Sequence, residues 1–162
     1  MVLTMLMTLS VLFCQAQSAA DKQAIESILQ NEDASWVKGD GIAYSKSFAA
    51  EGTFTNIRGE FFIGKKPFED RHVEIFNTIF KGTTLTHNVA SLKFLKPDVA
   101  VVETISWVSG FGSQPPPRII LDAKGRLVTR LVQVLMKEGD EWKIFCYHNV
   151  AVGPGLPPLE PK

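Results

Sequence analysis

From Thr84 onward the chain settles into a two-residue rhythm rich in β-branched residues, in segments of roughly 84–95, 99–109, 118–122, 126–137 and 141–151. Turn chemistry separates them: KPD at 96–98, DAKG at 122–125 and KEGDE at 137–141. Connections this short join antiparallel neighbours, because a parallel return needs a crossover of about a dozen residues or more. The second half therefore reads as an antiparallel meander with one face to be covered. The cover has to come from the first half of the chain.

The first half supplies helices. Asp21 is placed to cap a helix over about 22–38, with Ile25, Ile28, Leu29 and Trp36 at helical spacing and Gly39 as its stop. Asp40 is placed to cap a second helix through Tyr44 and Phe48, ending near Glu51 and Gly52. TFTNI and EFFIG, either side of Gly59, read as a minor hairpin. A third helix is predicted from Lys66 to Phe80, with Phe68, Val73, Ile75, Phe76, Ile79 and Phe80 on its apolar side, Pro67 in its first turn and Gly82 as its stop. The order gives an α+β class, three N-terminal helices packed on a curved antiparallel sheet.

A chain of 162 residues with 45% apolar content fits one domain with a core of its own. Its 17 basic and 17 acidic residues cancel without a run of either sign, so the footprint of a nucleic-acid or anionic-membrane binder is missing. Residues 1–20, MVLTMLMTLSVLFCQAQSAA, carry no charged side chain and pass from an apolar run to small residues, which reads as a signal peptide with Ala16 or Ala20 before the cut. The mature chain is then secreted or periplasmic, with no membrane attachment after cleavage. Cys14 leaves with the leader, and Cys146 is expected as a buried filler without a disulfide partner. GFGSQPPPR at 110–118 reads either as a rim loop or as a stiff connection, and the Pro-rich tail 153–162 as an extended arm.

Within residues 22–152, W36-x3-D40, FAAEGTFTNIRG at 48–59, Gly64, His72, IFKG at 79–82 and LKPDVAVV at 95–102 follow in an order and spacing that resemble the SgcJ/EcaC family of small bacterial proteins. That family lies in the nuclear transport factor two-like superfamily, with the SnoaL-like cyclases and ketosteroid isomerase. The resemblance implies a cone-shaped fold, a pocket between sheet and helices, and a homodimer formed through the sheet. The family is often labelled "oxidoreductase", but the sequence carries no Gly-rich strand-to-helix turn and no CxxC pair, so no cofactor is expected. Histidines 72, 87 and 148 are far apart, without HxH or HExxH spacing, and no metal site is expected either.

The candidate pocket residues each have a structural alternative. His72 borders the apolar side of the third helix, and the resemblance places a histidine near the pocket mouth, as acid, base or hydrogen-bond donor or as an ordinary helix histidine. Asn56 stands where ketosteroid isomerase resembles this strand with its general-base aspartate; an amide cannot take that proton, and it either orients a ligand or binds its own hairpin. Glu32 and Asp33 lie within a turn of Leu29 and Trp36, so one carboxylate can face inward. Trp36 and Trp107 are expected as core or pocket walls. In the last strand, strict alternation groups Trp142, Ile144, Cys146 and His148 on one face and Phe145, Tyr147 and Asn149 on the other, which makes His148 and Asn149 alternatives. The expected role is binding a small apolar organic molecule, with isomerisation, cyclisation or hydration driven by His72 or His148. The rival expectation is a non-catalytic dimerisation or protein-interaction module.

Overall fold

The computed structural model describes residues 2–112 and 117–153, with side chains from residue 19 onward. The elements are α1 (Val2–Lys38), α2 (Gly41–Tyr44), β1 (Phe48–Thr55), β2 (Phe61–Ile63), α3 (Lys65–Asn77), β3 (Thr84–Lys96), β4 (Val99–Ser109), β5 (Leu127–Glu138) and β6 (Glu141–Ala151). The strands form one six-stranded sheet in the order β2-β1-β6-β5-β4-β3. The β3–β6 meander is antiparallel throughout, as the two-residue rhythm predicts. Register shifts within β3–β4, β5–β6 and β1–β6 help curl the sheet, since each extra residue bends its strand. The three helices pack on the concave face.

Four expectations need correcting. First, α1 begins at Val2, well before residue 22, because nothing from Met1 to Lys38 is Gly or Pro. Asp21 lies inside this helix, where its carboxylate accepts the Trp142 indole N–H at 3.0 Å and pairs with Lys137 Nζ at 2.6 Å, tying α1 to the sheet. Second, α2 is a single turn. Asp40 caps it as expected, with Oδ1 accepting the Ala43 amide at 2.9 Å, but Phe48 already belongs to a strand. β6 recruits that strand as a parallel partner, Phe48 opposite Ile144, so tertiary pairing overrides the local helical pattern. Third, β1 is thereby longer than TFTNI and the sheet is not purely antiparallel. Fourth, no strand forms at 118–122: Asp122 instead gathers the amides of Lys124 and Arg126 and the Arg126 guanidinium into a local turn. Residues 113–116 of the Pro-rich connection and 154–162 of the tail lie outside the described residues.

One glycine fixes how the helices meet. A Cβ on Gly41 would come within 2.5 Å of the Val73 backbone nitrogen and 2.9 Å of the His72 carbonyl carbon, so α2 and α3 touch backbone to backbone. That contact brings Tyr44 over the His72 ring, with centroids 4.4 Å apart. Around them Trp36, Phe48, Phe54, Phe68 and Phe76 form a buried aromatic cluster, and Phe48 stacks on Phe68 with ring centroids 4.0 Å apart.

Candidate functional site

Strand alternation decides which side chains reach the interior. On β3, Leu85, His87 and Val89 share the concave face, and the ladder continues His87 across to Ser106 and then Thr129. One layer further along, Thr104, Leu131 and Asn149 stand side by side, followed by Val102, Gln133 and Tyr147. The result is a polar seam along an otherwise apolar face. α1 crosses this seam and lowers two consecutive carboxylates onto it.

Glu32 is 1% exposed, and both of its carboxylate oxygens accept from Gln133 Nε2 at 3.0 Å. Burial pushes its carboxyl up to about 7, against the opposing pull of His87 and of the Gln133 hydrogen bond, with Asp33 adding to the rise. Asp33 is half-buried. It accepts His87 Nδ1–H at 2.8 Å and the His87 backbone N–H at 3.3 Å. In the neutral ring, with Nδ1 as the donor, His87 Nε2 carries the lone pair. That nitrogen is buried without a hydrogen-bond partner, 3.9 Å from Glu32 Oε2. Both carboxylates therefore enter the site, where the sequence pattern asked for one.

Beside the seam is a cavity of about 60 Å³, walled by Trp36, Phe54, Ile57, Ile75, Phe80, Leu85, Val108 and Leu127, with Asn56, His72, His87, Ser106, Thr129, Tyr147 and Asn149 as its polar members. At roughly 15 Å³ for each water-sized group, it has space for a few such groups in a row. The Tyr147 hydroxyl pairs with that of Tyr44 at 2.9 Å. Both phenols are pushed well above their ordinary range, chiefly by burial and further by their negative neighbours.

His72 lies within this wall, 3% exposed, and its Nδ1 hydrogen bonds the Phe68 carbonyl at 2.7 Å. Burial in the aromatic cluster pushes its imidazole down to about 4, partly resisted by that hydrogen bond, so it is neutral at pH 7. Trp36 is a cavity wall whose indole N–H donates to Thr83 Oγ1 at 2.9 Å. Asn56 reaches the rim, but its side chain is taken by its own hairpin: Oδ1 accepts the Arg58 and Glu60 amides at 2.9 and 3.1 Å, and Nδ2 donates to Glu60 at 2.6 Å.

Two candidates lie elsewhere. Trp107 is on the convex face, half-buried beneath the Arg126 guanidinium at 5.5 Å, because β4 gives its concave positions to Val102, Thr104, Ser106 and Val108. His148 is exposed, also on the convex face. The cause is a bulge in β6: Val134 pairs with Cys146 but Leu135 with Ile144, leaving Phe145 as the extra residue. Before the bulge Trp142 and Ile144 face inward; after it Tyr147 and Asn149 do. Cys146 is half-buried rather than a core filler.

His87 was legible in the sequence only as a remote metal ligand. The signal that places it is L85-x-H87-x-V89, an imidazole in phase with the apolar face of a strand. Its carboxylate partner on a distant helix leaves no local trace.

No family model and no curated protein matches the sequence. Solved structures do resemble it. A scytalone dehydratase-like protein of Novosphingobium aromaticivorans superposes with a TM-score of 0.71 at 14% identity, over 86% of this chain and 89% of that one. A nuclear transport factor two-like protein of unknown function from Shewanella oneidensis gives 0.64 at 15% identity, over 80% and 98%. A ketosteroid isomerase-like protein of Erwinia carotovora gives 0.61 at 12% identity, over 82% and 96%. The chain thus has the cone-shaped nuclear transport factor two-like fold, with its cavity inside the cone.

Proposed function

We propose that the protein binds a small, largely apolar organic molecule inside the cone and moves a proton within it without a cofactor, as an isomerase, cyclase or hydratase. The observation that carries this reading is His87: Nδ1 is held by Asp33, Nε2 is buried and unpartnered, and the ring lines an apolar cavity. An imidazole oriented by a carboxylate, with its other nitrogen unpaired beside an apolar cavity, is suited to act as a general base and then as an acid. Glu32, a neutral acid for part of the time near pH 7, stands next to it. The proton-moving role thereby falls to His87 in place of His72, whose ring is enclosed by aromatics, and His148, which faces solvent. The dehydratase-like and isomerase-like neighbours support the reading at the level of fold only.

The finer assignments belong to the same proposal: a protein of the SgcJ/EcaC type, exported by its first twenty residues and paired through its sheet. N-terminal sequencing of the exported protein and light scattering test the last two. The catalytic reading is tested by incubating the protein in D₂O with small cyclic ketones and hydroxyketones and following deuterium incorporation by NMR. Incorporation that disappears in His87→Gln is the expected result. If no compound that binds ever exchanges, the non-catalytic module is the better description.

A further inference from the structure

Buried polar atoms without a partner are few in native proteins and call for an explanation. Among the described residues three such atoms lie on the concave side: His87 Nε2 and Gln133 Oε1 beside Glu32, and Asn149 Oδ1 one layer along the sheet. All three are acceptors. The His87 lone pair follows from the Asp33 bond on Nδ1, and the Gln133 oxygen from the donation of its Nε2 to Glu32. The fourth unpartnered atom, the Trp107 indole nitrogen, is a donor but lies on the convex face.

Two of the three acceptors, His87 and Asn149, belong to residues lining the cavity. Its other polar groups are largely spoken for. Ser106 is paired with Thr104 at 3.1 Å, Tyr147 with Tyr44, and Asn56 with its hairpin. His72 has its Nδ1 on Phe68, which leaves a further acceptor nitrogen on the ring. Among the described residues no lysine or arginine lines this cavity, and Asp33 behind it adds only acceptors. Two buried acceptors on this lining, His87 Nε2 and Asn149 Oδ1, are thus left without a donor from the chain, while the walls are apolar.

We infer that the ligand brings the missing donors: a small neutral ring carrying at least two hydroxyl groups, with one directed to His87 Nε2 and one to Asn149 Oδ1. This deepens the ligand-binding part of the reading above and rests on it. A carbonyl oxygen alone would leave both of these acceptors unsatisfied. An ammonium would lose its hydration against Phe54, Ile57, Ile75, Phe80 and Leu85 without a dedicated carboxylate on the lining.

The test uses ring probes of graded donor count on the full chain: resorcinol, phenol and 1,3-dimethoxybenzene, titrated by calorimetry and by NMR shifts of the Asn149 amide and His87 ring. Each hydroxyl that satisfies a buried acceptor is expected to improve affinity about tenfold. Resorcinol should thus exceed the dimethyl ether about a hundredfold, and Asn149→Leu should cut that ratio to about ten while leaving a single cooperative melt. Equal binding of the ether, tighter binding of benzylammonium, or no binding by any probe, which would mean that the cavity holds only water, overturns the inference. The two readings fail separately. Hydroxyl preference without deuterium exchange sinks only the catalytic proposal, and exchange without hydroxyl preference sinks only this one.

Discussion

His72 and His87 are both buried imidazoles, and they are buried in opposite ways. His72 sits among Tyr44, Phe54, Phe68 and Phe76, where apolar surroundings hold it neutral and its one inward bond is to a backbone carbonyl. His87 sits among two carboxylates and an amide, with one nitrogen tied and the other unmatched. Among the described residues the unpartnered buried atoms of the cone's interior all lie in the polar half, and none in the aromatic half. Burial in itself therefore says little about function. What distinguishes the two halves is whether the buried polar groups have been satisfied within the chain.

If the aromatic half is structural, removing a ring there should be the most damaging single change. Phe68 is 0% exposed and touches Phe48, Phe54, His72 and Tyr147. Phe68→Ala should cost about 3–5 kcal/mol in urea unfolding, the range for a large aromatic truncated in a packed core. A loss below about 1 kcal/mol would mean the cluster rearranges freely and is no rigid wall.

The two halves should also respond to pH with opposite signs. Glu32 is raised from 4.5 to about 7, so its contribution is fully present below pH 4.5 and is lost as pH rises toward 7. His72 is lowered from 6.5 to about 4, so its contribution is fully present above pH 6.5 and is lost as pH falls toward 4. Each shift corresponds to about 3 kcal/mol, and between pH 4.5 and 6.5 they oppose each other. Relative to the parent, Glu32→Gln should gain stability as pH rises from 4.5 to 7, and His72→Phe should gain as pH falls from 6.5 to 4. Stability profiles of both variants that run parallel to the parent's would remove the distinction.

A smaller effect probes the boundary between the halves, where the Tyr44 and Tyr147 hydroxyls meet. Tyr147→Phe leaves the Tyr44 hydroxyl buried and alone, at an expected cost of about 1–2 kcal/mol. Changing both tyrosines to Phe removes donor and acceptor together and should recover most of that loss. An additive double variant would show that the two hydroxyls do not depend on each other.

The aromatic half was largely readable from the sequence, because helical spacing of Trp36, Phe68 and Phe76 and alternation in the strands are local signals. Asp40 as a cap and Gly39 as a stop were readable for the same reason. The polar half was only partly so. Glu32 and Asp33 could be placed near the interior, but their partners His87 and Gln133 are 54 and 101 residues away, and nothing local links them. The strand at Phe48 was missed because its parallel pairing with β6 is a tertiary event. The choice between His148 and Asn149, and the side taken by Trp107, stayed open because a single β-position decides the face and a single extra residue reverses it.

That last point yields the smallest predicted effect. Counting by twos from Ile144 puts His148 inside the cone and Asn149 outside, whereas the bulge at Phe145 exchanges them. His148→Ala should therefore change stability by less than about 0.5 kcal/mol, as expected for an exposed side chain without a hydrogen-bond partner among the described residues, and leave resorcinol affinity untouched. Asn149→Leu, one residue along, should lower that affinity while keeping the fold. If the two variants behaved the other way round, β6 would be running through without the bulge. Tyr147 would then leave Tyr44, and the polar seam would have no Asn149 to complete it.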